Sequence, residues 1–124
     1  MSDEANSEAL RPPAGGMFSL KIIDEVARLK AKSEWSSVDR LATSLVKDGP
    51  LNILLMVFKK GARLAEHRAK GPIAVQVLSG AIRFTAANQS QGLSAGSIVA
   101  LDREVVHAVE ALDESVVLLM TAIS

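Results

Sequence analysis

Residues 63 to 86 read RLAEHRAKGPIAVQVLSGAIRFTA. Two features of this stretch decide the fold. Apolar residues alternate with others, as in Ile73, Val75, Val77 and again in Ile82, Phe84, which is the period of a strand with one buried face. Turn formers separate the runs at Lys70-Gly71-Pro72 and at Ser79-Gly80, the latter read as a two-residue hairpin connection. The same texture continues in both directions. Upstream, RLATSLVK and LNILLMVF flank the turn DGP. Downstream, the polar loop ANQSQG leads to SIVAL, then VVHAVEA and SVVLLMTA. About eight short strands at such spacing predict an all-β antiparallel sandwich or barrel. No alternation of strands with helices occurs, so a doubly wound fold is disfavoured.

The region before the strands differs. Residues 1–17 are polar and then rich in Pro and Gly, which predicts a flexible tail. Residues 18–37 predict a helix and a linker, because Phe18, Ile22, Val26 and Leu29 recur at helical spacing. Ser19 is the expected cap, with Phe18 closing over Ile23 as a hydrophobic staple. The polar face carries mixed charge, so the helix is expected against its own domain and not on a membrane. Trp35 is the expected plug between helix and β-domain, which spans residues 38–124.

The whole chain has 124 residues, enough for one core. Lys plus Arg and Asp plus Glu number 14 each, and aromatics are 3%. A neutral chain without a basic block or stacking platform is not expected to bind nucleic acid. There is no cysteine, which removes disulfides, iron–sulfur clusters and thiolate zinc sites. The longest apolar run is too short to span a bilayer, and no secretory signal is legible. A cytoplasmic protein is expected.

With these strands on the page, the chain resembles the cupin family of small RmlC-like jelly-roll barrels, in its single-domain, uncharacterised bacterial form. The family's first motif runs Gly, five residues, His-x-His, three or four residues, Glu, six residues, Gly. Gly61, His67 and Gly80 match it. The second runs Gly, five residues, Pro-x-Gly, two residues, His, three residues, Asn. Gly96 and His107 match it. The resemblance covers about residues 40 to 124. It implies an all-β, double-stranded β-helix (a cupin-like jelly-roll barrel) with one N-terminal helix, and a homodimer. The departures concern the metal. Metal-binding cupins hold their ion with three histidines and a glutamate, but the second His position is Ala69 and the Glu position is Ile73. Pro, Gly and Asn of the second motif are Asp102, Glu104 and Ala111.

The two remaining histidines are the candidate site. Regular pleating would put His67 inward together with Ala65 and Ala69, and Glu66 outward. Ile73, Val75 and Val77 would share that interior. The leading expectation is therefore a small organic ligand, a carboxylate for instance, in an apolar cavity lined by His67, His107, Val75 and Val77, with no metal. The alternative is a metal-dependent enzyme of dioxygenase or isomerase type. Its Zn, Fe, Mn or Ni would be held by His67 and His107 and completed by water, ligand or a carboxylate. Glu66 could serve if a bulge turned it inward, and Asp102 or Glu104 by reaching over the mouth. A third reading leaves both histidines merely satisfied by backbone or water. Burial in an apolar cavity should favour the neutral imidazoles.

Overall fold

The structure, a computed structural model, describes residues 10–122. Most of the expected flexible tail lies outside them. Among the described residues one helix, α1 (Ile22–Lys30), and a short 3-10 turn (Ser33–Ser36) precede nine strands. The strands are β1 (Arg40–Asp48), β2 (Leu51–Phe58), β3 (Arg63–His67), β4 (Ile73–Ser79), β5 (Ala81–Ala86), β6 (Gln89–Ser94), β7 (Ile98–Leu101), β8 (His107–Ala111) and β9 (Ser115–Ala122). They form two antiparallel sheets, ordered β1-β2-β9-β4-β7 and β3-β8-β5-β6. This is the antiparallel sandwich that the alternation predicts, in the jelly-roll form that the resemblance implies.

The interior between the sheets is apolar because each strand turns alternate residues into it. Met56, Phe58, Val75, Val77, Ile82, Phe84, Leu93 and Val109 form one buried cluster there. A second cluster covers the outer face of the larger sheet. Leu29 of α1 sits on Leu45, Leu55, Val57, Val116 and Leu118, and Trp35 packs at its margin as expected. Lys59 extends over the Trp35 ring at 4.8 Å and donates to the Trp35 carbonyl.

Three local expectations need correction. The loop ANQSQG is instead a tight turn at Ala87-Asn88, both at positive φ, followed by β6. That strand ends its sheet and buries only Leu93, so it carries no apolar alternation to read. Ser79-Gly80 is not a hairpin. β4 and β5 lie in different sheets, and Gly80 is the corner between them. Its φ is +82°, and an added Cβ would stand 2.3 Å from the Glu114 carbonyl oxygen, so only glycine fits. Finally, α1 starts after Lys21, whose carbonyl takes the first backbone hydrogen bonds, with no side-chain cap. Ser19 and Phe18 precede the helix, and Ile23 is 76% exposed, so no staple closes. The stripe Ile22, Val26, Leu29 claims the sheet, and Ile23 is rotated about 100° away from Ile22.

Candidate functional site

His67 and His107 meet. They are partners across β3 and β8, with ring centroids 4.1 Å apart and planes inclined by 60°. The route by which His67 gets there is irregular. Leu64 pairs with Val109 and His67 with His107, so Ala65 and Glu66 together stand opposite the single residue Ala108. This is a β-bulge, one extra residue in β3. Leu64 already faces the interior. Strict pleating from Leu64 would turn Glu66 inward and His67 outward. The bulge reverses that.

The expected pattern is thereby corrected at Ala65 and kept at Glu66. Ala65 does not share the interior with His67; it is exposed and lines an outer groove with Glu66. Glu66 is not turned inward by the bulge, since the extra residue rotates His67 in its place. Asp102 and Glu104 are exposed and do not line the histidine pocket. Asp102 accepts from the Arg103 backbone N–H, and the Glu104 N–H donates to the Ala69 carbonyl at 2.8 Å. Glu104 takes φ +65°, the conformation that explains glycine at this place in the family motif.

The histidines line a narrow pocket with Met56, Leu64, Val75 and Phe84. Val75 thus stands beside the pair. Val77 is fully buried in the same interior but deeper, and it does not line the pocket. Phe84, which the sequence reading did not single out for the site, stacks on His107 with centroids 5.7 Å apart and planes inclined by 16°. Its signal was its inward parity on β5, shared with Ile82.

Both imidazoles are held the same way. Each Nδ1 lies at hydrogen-bond distance from a backbone carbonyl two residues earlier, His67 to Ala65 at 2.9 Å and His107 to Val105 at 3.0 Å. A carbonyl oxygen only accepts, so Nδ1 carries the proton and Nε2 keeps its lone pair in the neutral ring. The surroundings favour that neutral form for His107. Burial lowers its pKa below the ordinary value, and His67 adds a smaller push in the same direction. The Val105 carbonyl opposes both.

The donor set does not make a complete metal centre. Among the described residues no group of three or more His, Asp or Glu is placed to hold an ion. The two missing ligand positions, Ala69 and Ile73, are filled by apolar side chains packed into the interior. The ring spacing separately disfavours a tetrahedral ion. With metal–nitrogen bonds of ~2.05 Å, two ring centroids sharing an ion each lie about 3.2 Å from it, so a 4.1 Å separation gives an angle of about 80°. A tetrahedral ion would need the rings about 1 Å farther apart, on the same arithmetic.

No family model matches the chain, and no curated protein does. Its likeness is to solved structures. A cupin superfamily protein from Desulfitobacterium hafniense is 21% identical, with 68% of this chain and 78% of that chain covered and a TM-score of 0.66. An RmlC-like cupin from Shewanella frigidimarina is 16% identical over 69% and 78%, with a TM-score of 0.66. A Rhizobium leguminosarum protein of unknown function is 16% identical over 87% and 98%, with a TM-score of 0.69. The chain has the RmlC-like cupin fold.

Proposed function

We propose that this cupin-fold protein binds a small organic acid, whose carboxyl or hydroxyl head lies against His67 and His107 at the mouth of an apolar pocket. One observation carries the reading. Two imidazoles stand 4.1 Å apart, each with Nδ1 engaged by a carbonyl and Nε2 left to accept, in a pocket whose other walls are apolar. Such a pair calls for a partner that brings a proton, and a carboxylic acid does so. A bound acid would share its proton with one ring and raise the basicity that burial suppresses. We place the protein in the cytoplasm as a homodimer. Support for pairing comes from Met17, Leu20 and Ile23, each an exposed large apolar residue just before or in the first turn of α1.

The test is a histidine-selective 15N NMR titration with acetate, the smallest head group. Acetate should shift both imidazole signals, and His67→Ala or His107→Ala should abolish the response of the remaining ring. Imidazole signals that ignore acetate at every pH would overturn the proposal.

A second reading is a metal-dependent enzyme in which both Nε2 atoms hold a divalent ion completed by water or substrate. The observation in its favour is the pair of Nδ1–H to carbonyl hydrogen bonds, the outer arrangement that metal-ligating histidines use. Stoichiometric Fe, Mn, Ni or Zn in untagged protein, lost in both alanine variants, would select this reading over the first.

A further inference from the structure

The histidine pocket has room for only about 20 Å³, enough for a water or a small head group and not for the body of an organic ligand. The body must lie elsewhere. A second pocket adjoins the first through one residue, because Phe84 lines both.

This second pocket lies where the sandwich is open. β6 ends the smaller sheet and β7 ends the larger one, and the two strands do not pair with each other. Between them stand Leu93, Val99 and Leu101, with Gln89 and Gln91 beside them. No charged side chain lines the space. Its volume is about 170 Å³. An apolar cavity of ~150 Å³ is known to take benzene, so a single six-membered ring fits. The glutamine amides both donate and accept, which suits an uncharged polar substituent on that ring.

We propose that this pocket between β6 and β7 holds the ring of a ring-bearing carboxylic acid, whose acid group reaches His67 and His107 past the edge of Phe84. The inference rests on the reading of the histidine pair given above. Phe84 sets the length of the ligand. Its centroid is 5.7 Å from that of His107, so a ring on the far side of Phe84 lies farther still from the imidazoles and needs a chain of at least about two carbons before the carboxyl. The ligand class is therefore an arylalkanoic acid, with 3-phenylpropionate as the simplest member. Phe84 offers its ring as a stacking wall and turns its edge aside to let the chain pass.

The experiment compares acetate with 3-phenylpropionate by protein-observed NMR on the full chain. Acetate should move only the imidazole signals. 3-Phenylpropionate should move the imidazoles, the Gln91 side-chain amide and the Phe84 ring together, and bind at least about tenfold more tightly, because the ring leaves water. Gln91→Trp fills the pocket from an exposed position on an edge strand, so the fold is spared. In that variant 3-phenylpropionate should fall to the affinity of acetate while acetate is unchanged. If 3-phenylpropionate moves the imidazoles but not Gln91, and Gln91→Trp changes nothing, the ring pocket is wrong and the histidine reading stands. If neither acid moves the imidazoles, the histidine reading fails and takes the joined site with it.

Discussion

Leu64 and His67, three positions apart on β3, face the same pocket. On a regular strand they would face opposite sides. The extra residue between them is what delivers an imidazole to His107 and leaves Glu66 outside. The chemistry of the site, two facing imidazoles without a carboxylate beside them, thus depends on one residue of register.

That dependence can be tested by changing the length of β3. Deleting Ala65 leaves Leu64, Glu66 and His67 in plain alternation, still with His67 inward. The deletion variant should keep the mutual ring-current shifts of His67 and His107. Loss of those shifts in the deletion variant would refute the bulge account.

Stability should fall in acid through His107. Its pKa is lowered in the folded protein, so the unfolded chain takes up the proton more readily. The stabilisation is complete above the unfolded pKa of about 6.5, and it is lost as pH drops below that value toward the lower folded one. Thermal unfolding measured from pH 7.5 down to 4.5 should show this slope, and His107→Leu should flatten it. An unchanged slope in the variant would assign the acid sensitivity elsewhere.

The corner at Gly80 should tolerate no side chain. Gly80→Ala combines positive φ with a contact of 2.3 Å to a backbone oxygen that has little freedom to move. A loss of about 2 kcal/mol or more in urea unfolding is expected. Ser115 reinforces the same corner. Its fully buried hydroxyl accepts from the Ala81 N–H at 3.1 Å and lies 2.8 Å from the Asp113 carbonyl, to which it can donate. Ser115→Ala strands those groups and should cost about 1–3 kcal/mol.

Helix α1 should be an integral part of the domain. Leu29 is 2% exposed and seated on Leu55 and Val116 of the larger sheet. Leu29→Ala should destabilise the whole protein by about 2–5 kcal/mol in a single transition. A separate early transition for the helix, with the β-domain unaffected, would show that it docks independently.

The sequence by itself determined the architecture. Alternation in runs such as IAVQVL and AIRFTA is a local property of each strand, and turn residues between runs are local too. The stripe Ile22, Val26, Leu29 likewise announced a helix lying on the sheet. Four things were decided only by tertiary structure, each because it depends on a partner strand. β6 was hidden because an edge strand with a single buried residue has no period to display. Gly80 reads as a hairpin turn in the sequence, which does not tell which sheet the next strand joins. The inward turn of His67 instead of Glu66 required the register of β3 against β8, and a bulge exists only in the pairing of two strands. Phe84 entered the site for the same reason: its parity was legible, but its place over His107 follows from the pairing of β5 with β8.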